Sequence, residues 1–158
     1  MAIEIERKFL LNGDEWRHQA AGTIYRQGYI PTEDGTTVRI RIAGSSAFLT
    51  IKGMSVGLSR PEYEYEIPVD DARHLLDTLC RKPLIEKTRY RIDYHGFIWE
   101  IDEFDGVNKG LIIAEIELEQ ENQSFDKPPW IGKEVTADPR YFNAQLVTHP
   151  FSTWKKDG

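Results

Sequence analysis

Strand after strand in this chain alternates apolar with charged side chains, and few architectures accommodate that pattern. The first instance is Ile3-Glu4-Ile5-Glu6-Arg7-Lys8-Phe9. Read with the two-residue period of a strand, Ile3, Ile5 and Phe9 point one way, with Arg7 as the exception, and Glu4, Glu6 and Lys8 point the other. The alternation returns over Val38–Ile42, Ala47–Gly53, Glu62–Ile67, Lys87–Ile92, Phe97–Asp102 and Ile112–Glu119. Thr23–Pro31 also reads as a strand, with Tyr25, Gln27 and Tyr29 on one face. Turn signals separate these runs, the strongest being Asp34-Gly35. Helical patterns are few. A short one follows Asn12 as far as His18 or Ala20, capped by Asn12 or Asp14. The clearest covers Asp70–Cys80, with Ala72, Leu75, Leu76 and Leu79 at helical spacing. A third starts at Pro139 behind an Asp138 cap and runs to about Thr148. Strands that follow one another rather than alternating with helices predict an α+β fold built on one antiparallel sheet. About eight such strands can close into a barrel and so remove their edges, with the helices packed outside.

The charges are sorted by sign. Arg39 and Arg41 share a face, Lys52 ends another, and Lys87, Arg89 and Arg91 share a third. Acids gather at Glu62, Glu64 and Glu66, at Glu100 and Asp102, and at Glu115, Glu117 and Glu119. A solvated sheet gains most by interleaving signs, because like charges directly opposite are unfavourable. Alternation does not say which face lines the interior. If the charged faces do, the bases Lys8, Arg39, Arg41, Lys52, Lys87, Arg89 and Arg91 suit linked phosphates, which guanidinium forks grip bidentately. Grouped carboxylates with no Cys/His cluster suit a hard cation, Mg²⁺ or Mn²⁺, rather than Zn²⁺. Bases and acids together in one cavity point to phosphoryl chemistry. No P-loop, GxGxxG or GxSxG motif competes with that reading.

Composition narrows the class further. The length of 158 residues fits a single domain, residues 1–158, with the segment 130–158 packed on the barrel. A net charge of -6 argues against a nucleic-acid partner. No apolar run approaches a membrane span, and no signal peptide is expected, since the charged motif begins almost at Met1. The single cysteine, Cys80, fits a reducing cytoplasm. The sequence leaves the oligomeric state open, and a homodimer is compatible with it.

The motifs resemble, in order, the CYTH superfamily of triphosphate tunnel metalloenzymes. The resemblance runs from Glu4-x-Glu6-x-Lys8 through Gln27-Gly28-Tyr29, Val38-Arg39-Ile40-Arg41 and Leu49-Thr50-Ile51-Lys52 to Glu62-Tyr63-Glu64. It continues through Lys87-Thr88-Arg89-Tyr90-Arg91, Glu100-Ile101-Asp102 and Ala114-Glu115-Ile116-Glu117 to Gly132-Lys133-Glu134-Val135-Thr136 with Tyr141 and Asn143. It implies an eight-stranded antiparallel tunnel, a triphosphate-containing small molecule as substrate and a divalent metal. By this resemblance Glu4, Glu6, Glu62, Glu64, Asp102, Glu115 and Glu117 are metal-side candidates. Lys8, Arg39, Arg41, Lys52, Lys87, Arg89 and Arg91 are substrate-side candidates, and Tyr29, Glu6 and Lys8 are candidates for catalysis. Lys133 reads as a surface lysine. The expected reaction is hydrolysis of inorganic triphosphate to pyrophosphate and phosphate. A class IV adenylate cyclase, a thiamine triphosphatase and a non-enzymatic polyphosphate- or nucleotide-binding module are the alternatives.

Overall fold

The computed structural model describes residues 3–154. Eight antiparallel strands close into a barrel: β1 (Ile3–Leu11), β2 (Gly22–Ile30), β3 (Thr37–Ala43), β4 (Ser46–Lys52), β5 (Ser59–Ile67), β6 (Ile85–Tyr94), β7 (Phe97–Phe104) and β8 (Ile112–Glu117). Their order around the barrel is β5-β4-β3-β2-β6-β7-β8-β1, and β1 returns to β5 through Ile3 opposite Pro61 and Ile5 opposite Ser59. Five of these neighbouring pairs are sequential partners; the exceptions are β2 against β6 and β1 against β5 and β8. A ninth strand, β9 (Ile131–Glu134), pairs with Phe9 and Leu11 and takes the stretch of β1 edge that β5 leaves uncovered. Sequence pattern alone leaves β9 out, because four residues are too few to show alternation.

The charged faces point inward. Their apolar alternates point outward and are covered in two places. Helix α1 (Val69–Thr78) lies over β3 and β4, and Ala72 and Leu76 pack on Ile40 and Ala47. Gly28 on the adjacent outer face of β2 lets this layer close, since a Cβ there would sit 2.8 Å from both Cys80 and Leu84. Across β1, β6, β7 and β8, the outward residues Ile5, Phe9, Ile92, Trp99, Ile101 and Ile116 lie beneath Trp16 and Trp130. Each large side chain buried in this way contributes ~1.5–3 kcal/mol. A barrel with a polar interior is therefore stabilised by its outer shell. Arg7, the exception in the first alternation, does belong to the outer face. Its guanidinium donates to both oxygens of Glu134 on β9, at 2.9 and 2.6 Å, and lies 5.0 Å from the Phe125 ring centre.

One end of the barrel is stopped. Leu10, Tyr29, Ile85, Phe104 and Ile113 share the inward parity of the charged residues, but they pack on Val135, Tyr141, Leu146, Val147, Phe151 and Trp154 of the C-terminal segment. Phe151 and Trp154 thus dock on an apolar surface, while residues 155–158 lie outside the described residues. Several local expectations change. Asp14 stands at the start of a 3₁₀ turn, Glu15–His18, without capping it, and Asn12 does not cap it either. That turn is held instead by Trp16 Nε1 donating to the Gly13 carbonyl and by Arg17 gripping Glu103. The helix expected over Asp70–Cys80 is α1, shifted to Val69–Thr78. The helix expected from Pro139 to Thr148 is two pieces: a 3₁₀ turn Pro139–Tyr141, capped by Asp138 accepting from the Arg140 N–H, and α2 (Asn143–Thr148). Phe142, in extended conformation, separates them. β8 ends at Glu117, leaving Glu119 in the following turn.

Candidate active site

Two connected cavities occupy the barrel. One, of about 310 Å³, lies toward the stopped end and is lined by Lys8, Lys52, Arg60, Lys87, Tyr29 and Asn143 among others. The other, of about 750 Å³, lies toward the open end and carries Glu62, Glu64, Arg91, Glu100, Glu117 and Glu119. Glu4, Arg39, Arg41, Arg89 and Glu115 line both. The smaller cavity is predominantly basic and the larger predominantly acidic.

On the β6–β7 wall the charges cancel. Asp102 is fully buried, and both its oxygens are taken: Oδ1 accepts from Arg89 Nε at 2.7 Å, and Oδ2 from Arg89 Nη2 and Lys87 Nζ, both at 2.8 Å. Burial works against this carboxylate, but Arg89 and Lys87 outweigh it and hold its pKa at about 2. Arg89 also donates to Glu100 at 3.2 Å. Lys87 fares differently. Burial, with Arg89 and Arg41 nearby and only Asp102 and Glu115 in opposition, brings its ammonium down to about 7. Lys8 donates to Glu115 at 2.5 Å and lies 3.1 Å from Glu6. Burial opposes its charge, but these two carboxylates prevail and push its pKa above the ordinary lysine range.

On the β2–β3 wall the charges do not cancel. Arg41 Nε donates to Gln27 Oε1 at 2.8 Å, and its guanidinium stacks 4.9 Å from the Tyr25 ring centre. Among the described residues no carboxylate pairs with it. Burial, then the neighbouring Arg39 and Arg89, bring its pKa down to about 10. Arg39 reaches Thr50 at 3.1 Å and Glu64 at 3.3 Å, yet its Nε is buried with no hydrogen-bond partner among the described residues. Gln27 is fully buried and donates from Nε2 to Tyr29 Oη at 2.9 Å and to Asn143 Oδ1 at 3.3 Å. Asn143 also accepts from Lys87 Nζ at 2.9 Å.

The open end shows the opposite imbalance. Lys52, from the smaller cavity, reaches its acids: Glu4 grips it at 2.8 and 2.9 Å, and Glu62 stands 3.3 Å away. Burial, only partly offset by Lys52, raises the Glu4 pKa. Glu117 has no basic partner among the described residues. Partial desolvation, then repulsion from Glu4, Glu62, Glu6 and Glu100, raises its pKa to about 7. A divalent cation is the group that relieves such crowding, and an all-oxygen donor set suits a hard one. The carboxylates are not drawn together into a ready chelate, and no group of three or more is assembled to hold an ion among the described residues. Most of them are turned toward bases.

A walled tunnel with one cationic and one anionic imbalance is now in place, and comparison with known proteins gives it a lineage. The sequence matches the CYTH domain family over residues 2–149. The chain belongs to the CYTH domain family. An inorganic triphosphatase of Acetivibrio thermocellus is 53% identical over 156 residues, covering 99% of this chain and 100% of that protein. An inorganic triphosphatase of Nitrosomonas europaea is 40% identical over 150 residues, covering 91% of this chain and 96% of that one. A crystal structure of an inorganic triphosphatase superposes with a TM-score of 0.66 at 36% identity, covering 90% of this chain and 96% of that one.

Within this CYTH barrel the residues singled out in sequence nearly all face the cavities. Arg91 is the outlier among the bases: its side chain is 62% exposed at the open mouth, paired with Glu100 at 3.2 Å. Glu64 is likewise largely exposed and serves Arg39 and Thr50. Lys133 is exposed and lines neither cavity. Sequence reasoning missed Gln27, Thr50, Arg60 and Asn143 as site residues. Three of them are uncharged, so no pattern of sign exposed them. The inward parity of Gln27 with Tyr29 and of Arg60 with Glu62 is the signal that could have found two of them.

Proposed function

We propose that this chain hydrolyses inorganic triphosphate to pyrophosphate and phosphate with the help of a divalent cation, Mg²⁺ or Mn²⁺. The observation that carries the reading is the uncompensated β2–β3 wall, where, among the described residues, Arg41 lacks a carboxylate partner and Arg39 Nε lacks an acceptor. An anion rich in oxygens supplies both. The basic cavity of about 310 Å³, closed behind by the C-terminal segment, supports an unsubstituted triphosphate over one bearing a nucleoside or thiamine.

In this proposal Arg39, Arg41, Lys87 and Arg89 bind phosphate oxygens and stabilise the charge that grows on the pyrophosphate leaving group. Lys52 and Lys8 extend that binding, and Arg91 guides the anion at the mouth. Asp102, with both oxygens committed, orients Arg89 and Lys87 rather than holding metal. Glu4, Glu6, Glu62, Glu115 and Glu117 are the residues that would hold the cation, with Glu64 at their margin. A cation bound there neutralises phosphate oxygens and makes the phosphorus more electrophilic. Burial works against the Glu6 carboxylate, but Lys8 prevails and holds its pKa below the ordinary range. Glu6 is therefore a standing acceptor that can orient a water molecule. Tyr29 Oη accepts from Gln27, so its own proton is free to be donated to an anion. That supports Tyr29 as a substrate-orienting group rather than a base. The chain is read as one tunnel domain, residues 1–158, working in the cytoplasm. Its bases lie inside the tunnel rather than on a surface, which disfavours nucleic acid. No helix among the described residues is long and apolar enough to cross a membrane, and a homodimer is compatible with the fold.

Phosphate release from inorganic triphosphate, ATP and thiamine triphosphate, measured in parallel with each metal, tests the reading. Release from inorganic triphosphate that is lost in Glu4→Gln and Lys8→Ala supports it. Binding without release would make the chain a binding module, and cyclic AMP formed from ATP would make it a cyclase.

A further inference from the structure

The basic cavity has one wall that the barrel does not supply. Asn143 opens α2, just after the extended Phe142 breaks the path from the 3₁₀ turn, and its side chain enters the tunnel. Its Oδ1 is shared by Lys87 Nζ at 2.9 Å and Gln27 Nε2 at 3.3 Å. Gln27 in turn accepts from Arg41 Nε at 2.8 Å and donates to Tyr29 Oη at 2.9 Å. One amide from the C-terminal segment therefore fixes the amide that fixes a guanidinium, and also fixes the ammonium on the adjoining strand β6. Nothing in the packing of α2 demands an amide here, since that helix is anchored by Leu146 and Val147.

We propose that Asn143 is a positioning residue for catalysis, holding Lys87 directly and Arg41 through Gln27 without adding a second carboxylate beside Asp102, which already pairs with Lys87. The inference rests on the reading of this tunnel as a triphosphate site. Its chemical point is that the acceptor is neutral. A carboxylate in the same place would make better hydrogen bonds to Lys87, but it would set a second negative charge beside a lysine that Asp102 already pairs, and so repel a phosphate chain. A carbonyl oxygen orients the ammonium and adds no charge.

That distinction sets the test, because packing and positioning predict opposite orders. Asn143→Asp is nearly isosteric, and an acid in the first turn of a helix is favourable, so this variant keeps the fold. Asn143→Ala removes the acceptor. Kinetic constants for inorganic triphosphate are measured in both, with thermal melting as the control for folding. The proposal expects Asn143→Ala to lower kcat roughly tenfold or more through loss of alignment. It expects Asn143→Asp to raise KM roughly tenfold or more, beyond the KM of Asn143→Ala, although its melting temperature is the higher. Asn143→Asp with a wild-type KM, or Asn143→Ala with a wild-type kcat, overturns it. If the wild-type protein releases no phosphate, the functional reading fails separately. The proposal is then judged by calorimetric binding of inorganic triphosphate: Asn143→Asp must bind more weakly than Asn143→Ala, and equal or tighter binding overturns it.

Discussion

Arg89 and Arg41 enter the same tunnel from β6 and β3, the strands on either side of β2, and live under opposite conditions. Arg89 is held by both oxygens of Asp102 and by Glu100. Arg41 is held by one amide and one aromatic ring. The first wall is a closed charge network that the folded protein needs. The second is left short of negative charge, and the folded protein bears the cost of that until an anion arrives. The difference separates cations already paired in the folded protein from cations left for an anion to pair, a separation that residue type and spacing do not reveal.

Removing the acid from the closed wall should do the most damage. Asp102→Ala leaves Arg89 and Lys87 buried without their counter-ion, and a loss of about 3–5 kcal/mol in urea denaturation is expected. On the open wall, Arg41→Met should change stability by less than about 1 kcal/mol, while kcat/KM for inorganic triphosphate falls roughly 100-fold, as when an oriented transition-state donor is lost. A destabilisation by Arg41→Met as large as that of Asp102→Ala would erase the contrast between the walls.

The walls also differ in pH. The Asp102 pKa is held at about 2, below its ordinary 3.8. Its contribution, about 2 kcal/mol, is fully present above pH 3.8 and is lost as the pH falls through 2. Acid titration of stability should show this loss in the wild type and not in Asp102→Ala. The Lys87 pKa lies at about 7, far below its unfolded value, so metal-free binding of inorganic triphosphate should weaken as the pH rises through 7. Glu117, at about 7 from the other direction, should bind a divalent cation more strongly over the same rise. Opposite slopes in calorimetry at pH 6 and pH 8 would sharpen the division between the two ends of the tunnel. The smallest effect belongs to Arg91, exposed at the mouth. Arg91→Ala should change KM only a few-fold and leave stability within about 0.5 kcal/mol.

How far the sequence shows this arrangement depends on the kind of information each residue carries. The strands and the hairpins between them are legible because period-two alternation and turns such as Asp34-Gly35 are local signals. Gly35 adopts φ +80°, and Asp34 Oδ1 accepts from the Thr36 N–H, as an Asp-Gly turn requires. The inside of the barrel is not legible from alternation, since both faces satisfy the pattern. What decides it is tertiary: α1, Trp16 and Trp130 cover the apolar side. β9 and the broken helix at Phe142 are likewise set by the edge of β1 and by the stopped end of the barrel, which are distant in sequence. At the site, the charged residues announce themselves in rows. Their roles do not, because the same Arg-x-Arg spacing gives one guanidinium a carboxylate and another an amide.

The central claim is that the uncompensated wall is where the triphosphate sits. A crystal structure with inorganic triphosphate and Mn²⁺ tests it most directly. The account predicts phosphate oxygens within hydrogen-bonding distance of Arg39 Nε and Arg41, with the anomalous Mn²⁺ signal among the carboxylates around Glu117. A triphosphate held at the open mouth by Arg91, with Arg41 still facing only Gln27 and Tyr25, would contradict it.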